Sequence, residues 1–263
     1  MAFSLNPSIC VNCSKNLFSV SGDTTGSLSG GVSAQTVVIG YPNDDSVTLD
    51  LYANNDGLTG NTLYVSALGC TSVSLTFDVS DNKNYNLYVI YTDTNGDLAV
   101  NPITYPSDGT ATADEIGAGI LAALSANGVT ASYDSGVVTF SGTGFGVAAV
   151  NSSTTNIELT GVTAELIPDG KHVISWSITD GAGTYSSSSE SYFLCNVECC
   201  VRSKMSAIDA GCLCSDDRNA DAAIDAMLTL EQIRAAAACG KDSKADKLLE
   251  ELQAICNNEC KSC

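Results

Sequence analysis

Basic side chains are the scarcest feature of this sequence. Its 263 residues contain 11 Lys and Arg against 30 Asp and Glu, which gives a formal net charge of -19. The imbalance is steepest in residues 1–189, where three lysines (Lys15, Lys83 and Lys171) stand against seventeen carboxylates. A surface of this kind repels phosphate groups. The composition therefore disfavours sequence-specific nucleic-acid binding and docking to anionic lipid.

Long apolar runs are also absent. No stretch approaches the roughly 20 apolar residues that cross a bilayer, and the start MAFSLNPSIC lacks the basic and apolar regions of a secretory signal. We therefore expect no membrane insertion, and synthesis in a cytoplasm without a signal peptide. Cytoplasmic thiols usually stay reduced, so the twelve cysteines indicate zinc ligands, buried thiols, or disulfides formed after the protein leaves the cell.

Motifs for catalysis are missing as well. His172 is the only histidine, aromatic residues make up 6% of the chain, and no GxSxG, HExxH, Walker or kinase pattern occurs. A lone histidine in a strand is more often a packing or surface residue than a catalytic base. We predict a protein that is not an enzyme, has no catalytic residues and requires no cofactor.

Alternating apolar residues are abundant in the middle of the chain. Segments such as SVTLDLYA, SVSLTFDVS and YNLYVIYT repeat with a period of two and are separated by turn sequences. The DTNGD turn contains Asn95 and Gly96, both of which accept the positive φ of a two-residue hairpin. This pattern predicts a mainly antiparallel β-sandwich over residues 41–190, Ig-like or tail-tube-like, preceded by an extended arm over residues 1–40.

One helix interrupts the strands near residues 112–126. Thr112 and Glu115 have the spacing of a capping box, and the segment that follows has apolar residues at helical intervals. The later segment KHVISWSITDGAGTYSSSSESYF predicts a final hairpin. Its first strand is expected to place three residues on one face: His172, Ile174 and Trp176.

After residue 190 the composition becomes helical, and residues 191–263 are predicted to form a small three-helix bundle. The overall class is therefore α+β. Nine of the twelve cysteines lie in this bundle, and two more belong to a CxxC pair near the start of the chain. The candidate zinc or disulfide cysteines are Cys10, Cys13, Cys195, Cys199, Cys200, Cys212, Cys214, Cys239, Cys256, Cys260 and Cys263.

Three explanations compete for these thiols. Disulfides stabilise a small domain by roughly 2 to 4 kcal/mol each, and we rank them first. A structural zinc site would use four thiolates and is the second explanation, supported by the spacing Cys10-x-x-Cys13 and Cys260-x-x-Cys263. Buried reduced thiols are the third, although nine in about seventy residues are too many for packing alone.

Two stretches carry a resemblance to a known class of proteins. The segment TATADEIGAGILAALSANGVTASYDSGVVTFSG resembles a helix and hairpin that recur in virion proteins of tailed bacteriophages. The ending from YFLCNVECC to CNNECKSC is similar to a Cys-rich helical domain that follows a β-sandwich in structural proteins of such phages. The resemblance implies a phage virion structural protein, present in many copies and made in the host cytoplasm before it joins the particle.

The function expected from the sequence is therefore non-enzymatic self-assembly in the virion, in a tail or neck tube or ring that lets DNA pass. Its partners would be further copies of itself and other virion proteins. The alternative is a capsid decoration, head-fibre or adhesin-type binding protein, in which the acidic surface serves solubility.

Overall fold

A computed structural model describes residues 3–42, 45–52, 57–93, 95–126, 129–152, 157–163, 167–197, 201, 217–238 and 240–259. The chain divides into two compact units. The first contains residues 1–167 and 172–191, and the second contains residues 168–171 and 192–263. The main division, between Ser191 and Tyr192, lies one residue from the boundary predicted by composition.

The first unit consists mostly of antiparallel strands in two sheets, as the alternating pattern predicts. Its larger sheet has nine strands among the described residues. The bounds of these strands are β1 Ser4–Asn12, β2 Leu17–Thr25, β5 Thr62–Ser66, β6 Cys70–Phe77, β7 Asn84–Thr92, β8 Leu98–Pro106, β9 Ala131–Asp134, β10 Val137–Asn151 and β11 Ile157–Thr163.

The long strand β10 joins two halves of this sheet. Its first half lies between β9 and β6, and its second half lies between β5 and β7. The register shifts between Ser141 and Phe145, where the strand changes partners. Such irregularities bend a strand and increase its twist. The sheet therefore curls around an apolar core, which is closed by a helix.

The smaller sheet has the order β13-β12-β3-β4. Its strands are β3 Ala34–Gly40, β4 Ser46–Asp50, β12 Gly170–Asp180 and β13 Gly183–Phe193. Burial alternates strictly along β12. His172, Ile174 and Trp176 are completely buried on one face, which confirms the predicted orientation of this hairpin.

The helix α1 (Ala113–Ala126) covers the core of the curled sheet. The predicted capping box is present: the Glu115 N–H donates to Thr112 Oγ1 at 3.2 Å, and the Thr112 N–H donates to Glu115 Oε2 at 3.4 Å. Both bonds satisfy donors that the first helical turn leaves without intrahelical partners. Its buried side chains are Ile116, Ile120 and Leu124, and the end predicted at Asn127 and Gly128 lies outside the described residues.

The extended arm predicted for residues 1–40 is wrong. β1 and β2 form a hairpin in the larger sheet, β2 pairs with β5, and β3 belongs to the smaller sheet. Leu5, Phe18 and Val20 are buried, so this segment contributes to the core. The hairpin is held by cross-strand pairing of residues that include many serines, which leaves only a weak apolar period in the sequence.

The second unit contains α2 (Asp217–Ala238) and α3 (Asp242–Glu259), together with helical residues at 195–197. α2 ends in a Schellman arrangement: Gly240 has φ +65°, its N–H donates to the Ala237 carbonyl, and the Lys241 N–H donates to the Ala236 carbonyl. The apolar core of this unit is formed by Leu194, Val197, Val201, Ala226, Leu230, Ile233, Ala236, Ala245, Leu249 and Leu252. The first helix of the predicted three-helix bundle falls largely on residues outside the described ones.

The buried carboxylate of Asp169 caps the helical turn that starts this unit. Its two oxygens accept from the N–H groups of Asn196 and Val197 at 2.8 and 3.0 Å. A carboxylate at a helix N-terminus satisfies unpaired donors and interacts favourably with the positive end of the helix dipole.

Among the described helices, none is long and apolar enough to cross a membrane.

Candidate functional site

A concave surface of the first unit lies where the β1–β2 hairpin approaches β11. We call it the β1–β11 groove. It has a volume of about 360 Å³, and it is lined by Cys10, Val11, Asn12, Lys15, Leu17, Phe18, Ser19, Tyr64, Glu158 and Leu159. The groove therefore combines buried apolar side chains with half-exposed polar ones.

Sheet pairing aligns three of its side chains across neighbouring strands. Cys10 on β1 is opposite Ser19 on β2, and Ser19 is opposite Tyr64 on β5. Residues paired across an antiparallel sheet project on the same face. Cys10, Ser19 and Tyr64 therefore form one row, and they are exposed or half-buried.

The turn between β1 and β2 places a cation on the rim of the groove. Asn12 precedes a short 3-10 turn at Cys13–Lys15, and its side chain accepts from the Lys15 N–H at 3.2 Å. Asn16 ends the turn with φ 52°, a conformation that Asn adopts more readily than most residues. Lys15 Nζ then lies 3.8 Å from Glu158 Oε1, and both side chains are 53% exposed.

The ion pair has little energetic weight but a clear local effect. An exposed pair of this kind contributes roughly 0 to 1 kcal/mol. It does place the positive charge of Lys15, one of three basic residues in residues 1–189, beside a carboxylate. The rim is therefore close to neutral within a strongly acidic unit.

The structure describes five of the twelve cysteines. Cys13, Cys195 and Cys256 are disulfide-bonded, whereas Cys10 is a free and exposed thiol. Cys70, which is not among the predicted ligands, is free and buried, and burial raises the pKa of its thiol. The other predicted site cysteines lie outside the described residues: Cys199, Cys200, Cys212, Cys214, Cys239, Cys260 and Cys263.

The described part of the chain contains no group of three or more His, Cys, Asp or Glu side chains that could hold a metal ion. Cys10 and Cys13 differ in state, because one is free and the other is bonded. A zinc site built on this CxxC pair would need both thiolates. A structural zinc among the remaining cysteines stays a prediction.

The single histidine is a core residue. His172 is completely buried. Its ring centroid lies 5.8 Å from that of Tyr41 and 6.2 Å from that of Phe18. Burial also raises the pKa of Tyr41 well above its ordinary value. His172 lies in the interior of the first unit and does not line the groove.

Sequence reasoning identified only Cys10 among the residues that line the groove. Lys15 was noticeable as a rare basic residue, yet nothing in the sequence connects it to Glu158, 143 positions further along the chain. Nothing in the sequence distinguishes Tyr64 from other tyrosines in predicted strands. The groove exists because pairing of β1, β2 and β5 and the position of β11 bring distant segments together.

Comparisons with known proteins add little to this description. No model of a protein family matches the chain, and no curated protein matches it in sequence. Among solved structures, a tetra-tandem repeat from the extending region of a large adhesion protein is 15% identical, with a TM-score of 0.16, over 74% of this chain and 50% of that one.

Two streptococcal domains are similar at the same level. The C-terminal domain of the antigen I/II-family protein AspA of Streptococcus pyogenes is 10% identical, with a TM-score of 0.15, over 68% of this chain and 56% of that one. The C-terminal domain of BspA of Streptococcus agalactiae is 9% identical, with a TM-score of 0.14, over 67% and 58%. This chain spans 50 to 58% of the length of these structures, and scores this low support no argument about fold or function.

Proposed function

We propose that this protein is a non-enzymatic binding protein of the adhesin type, which takes a sugar unit of a glycan into the β1–β11 groove. The observation that carries the proposal is the groove itself. Its volume of about 360 Å³ falls in the range of about 300 to 1,000 Å³ typical of small-ligand sites. Its size suits one or two sugar rings.

The lining chemistry supports a sugar as the ligand. A sugar ring has an apolar C–H face and a rim of hydroxyl groups. The half-buried ring of Tyr64 offers an apolar surface with a polar end, while Asn12, Ser19 and Glu158 supply hydrogen-bonding groups around it. This combination of one aromatic platform and several polar groups is what a polyhydroxyl ligand requires.

Charge narrows the ligand class to neutral sugars. Lys15 is already paired with Glu158, and the surrounding residues 1–189 have a net charge of -14. An anionic sugar would approach against that field and would find no unpaired cation in the groove lining. We therefore expect hexoses and their neutral derivatives to bind more tightly than sialylated or sulfated glycans.

A glycan screen followed by calorimetry tests the proposal. Saturable binding of a neutral glycan is expected, with affinity reduced at least about tenfold, or about 1.4 kcal/mol, by Tyr64→Ala. Tyr91→Ala is the matched control, because Tyr91 is an exposed strand tyrosine that does not line the groove. Absence of saturable binding, or equal affinities for the two variants, would contradict the proposal.

A role in a phage virion is a second proposal. It is supported by the resemblance of residues 110–142 and 192–263 to virion proteins and by the acidic composition, which suits a surface that DNA slides past. In this proposal many copies assemble with other virion proteins in a tail or neck. Mass spectrometry of purified particles tests it: the protein should be present in many copies per particle, and its absence from the particles would rule the role out.

A further inference from the structure

The sheet edges of the first unit are protected very unevenly. Among the described strands, six have a single paired neighbour: β1, β4, β8, β9, β11 and β13. β1 contains Pro7, and β8 contains Pro102 and Pro106. Proline cannot donate a backbone hydrogen bond, so it limits further pairing along an edge.

The remaining short edges offer little length for pairing. β4 has five residues and β9 has four, and the register of β11 shifts at Leu159. β13 is different, since it has eleven residues, contains no proline or lysine, and carries one charged side chain, Glu190. An edge of this length and composition is open to another strand.

We propose that β13 pairs with β13 of a second copy of this chain, which joins two four-stranded sheets into one sheet of eight strands. This inference is independent of the proposed sugar site, because no residue of β13 lines the β1–β11 groove. The β13 edge would be the surface through which copies of the chain associate if the protein assembles in a virion. The same pairing would form the dimer if the protein is an adhesin.

The hairpin between β12 and β13 indicates which backbone groups point outward. Thr179 Oγ1 and Thr184 Oγ1 are 2.9 Å apart, so these residues face each other with close side chains. Close side chains are typical of the pairs that do not exchange backbone hydrogen bonds. From Thr184 onward, every second residue therefore directs its N–H and carbonyl away from β12: Thr184, Ser186, Ser188 and Glu190.

These outward groups define a symmetric register. A two-fold axis at Ser187 places Ser186 opposite Ser188 and Thr184 opposite Glu190, so that each pair can exchange two hydrogen bonds. The two Glu190 carboxylates then face threonines and not each other. An axis at Glu190 would bring the like charges together, which disfavours that register.

The side-chain faces agree with this arrangement. Thr184, Ser186, Ser188 and Glu190 are exposed, whereas Tyr185, Ser187 and Ser189 are half-buried. The Tyr185 ring packs edge-on against Phe3 with centroids 4.8 Å apart. A two-fold axis perpendicular to the sheet keeps the half-buried face of both copies on the same side.

The first test measures mass in solution with Cys10→Ser as the background, which removes the exposed thiol of Cys10 as a source of covalent dimers. Sedimentation equilibrium is expected to give twice the chain mass of 27.1 kDa at high concentration. Ser188→Pro removes an outward N–H and should leave a monomer, while Ser188→Thr should still dimerise. A chain that stays monomeric at about 1 mM, or a folded Ser188→Pro variant that still dimerises, would overturn the proposal.

A second test does not depend on the proline variant folding. Ser187→Cys places two thiols across the axis in a pair with about 4.5 Å between Cα atoms, which suits a disulfide. Ser189→Cys is the matched control, because its partner in this register is Tyr185. With oxidised glutathione, Ser187→Cys is expected to form a covalent dimer at least about tenfold faster than Ser189→Cys. Equal rates would exclude this register.

Discussion

The ring of Tyr105 lies directly over the Cα of Gly119, so that a methyl group at Gly119 would be 2.0 Å from Cε2 of the ring. The hydroxyl of the same tyrosine donates to Glu115 Oε1 at 2.7 Å. Tyr105 therefore crosses one turn of α1, with its ring on a glycine and its hydroxyl on a carboxylate in the first turn. This contact attaches the helix to β8.

A second tyrosine repeats the arrangement two residues earlier along α1, at Gly117. Tyr133 on β9 lies over Gly117, where a methyl group would be 2.1 Å from its Cε2 atom. Its hydroxyl donates to Asp114 Oδ1 at 3.0 Å. The two glycines are thus required by the close approach of two rings, despite the low helix propensity of glycine.

Gly119→Ala is expected to destabilise the protein, although alanine is the better helix former. Helix propensity alone would stabilise the variant by about 1 kcal/mol. Displacing the Tyr105 ring costs roughly 1 to 3 kcal/mol and breaks its bond to Glu115. Urea unfolding should therefore show a lower midpoint for Gly119→Ala than for the wild type.

Ala118→Gly is the matched control for that measurement. Ala118 is exposed on the same helix, so its replacement tests propensity without a packed ring. The expected loss is about 1 kcal/mol from propensity alone. A Gly119→Ala variant that is more stable than the wild type would contradict the close packing of Tyr105.

The bond to Glu115 also predicts how stability depends on alkaline pH. This hydrogen bond, followed by desolvation, raises the pKa of Tyr105 from 10.0 to about 12. Because the folded-state value is the higher one, the stabilisation is complete below pH 10 and is lost as the pH rises towards about 12. The difference in unfolding midpoint between wild type and Tyr105→Phe should shrink across this window.

A direct titration checks the same prediction. Burial and hydrogen bonds raise the pKa of several tyrosines, Tyr105 among them, so the near-ultraviolet absorbance of phenolate should show a group of tyrosines that ionise at higher pH in the folded wild type than in the unfolded chain. The difference between the titration curves of wild type and Tyr105→Phe should isolate one component from this group, with a midpoint of about 12. Glu115→Gln should lower the midpoint of that component, since it removes the charged acceptor. A Tyr105 midpoint near 10 in the folded wild type would contradict the bond.

The sequence predicted the parts of the fold that depend on local signals. The capping box at Thr112, the hairpin turn at Asn95 and Gly96, and the buried face of β12 each follow from a few adjacent residues. In the hairpin, Gly96 has φ 93°, as expected, and its N–H donates to the Asp93 carbonyl. The Asp93 N–H donates to the Asp97 carbonyl, so the loop is longer than the two residues that were predicted. These features need no knowledge of distant partners.

The β1–β2 hairpin and the groove depend on pairing between segments far apart in sequence, and they were missed for that reason. Only Leu5 is fully buried on β1, so the strand lacks the apolar alternation that marks an inner strand. Tyr64 and Glu158 meet Lys15 and Cys10 only after β2, β5 and β11 have assembled. Long-range register of this kind is not encoded in a short window.

The single tryptophan reports on a similar close contact in the sandwich. Trp176 is completely buried, and a methyl group at Gly22 would be 2.4 Å from its Cζ3 atom. Gly22→Ala should therefore displace the ring, lower stability by roughly 1 to 3 kcal/mol and shift the tryptophan emission. Fluorescence-monitored unfolding measures both effects on one probe.

Gly31→Ala is the control for the Gly22→Ala variant. A methyl group at Gly31 would meet no atom within 4 Å, and its φ is outside the left-handed region. The tryptophan emission of Gly31→Ala should match that of the wild type. Its stability should be equal to that of the wild type or slightly higher, because alanine reduces the freedom of the unfolded chain. Indistinguishable spectra for Gly22→Ala and the wild type would contradict the contact.

The states of the cysteines give a prediction that separates disulfides from zinc. Cys10 should react with iodoacetamide in the native protein, whereas Cys13, Cys195 and Cys256 should react only after a reductant is added. Cys256→Ser should destabilise the helical unit by roughly 2 to 4 kcal/mol, and Cys10→Ser should leave its stability unchanged. Peptide mass spectrometry locates the modified residues, and circular dichroism follows the helices. If a chelator alone made Cys195 and Cys256 reactive, thiolate ligation of zinc would replace the disulfide assignment, because metal removal frees thiolates without reduction.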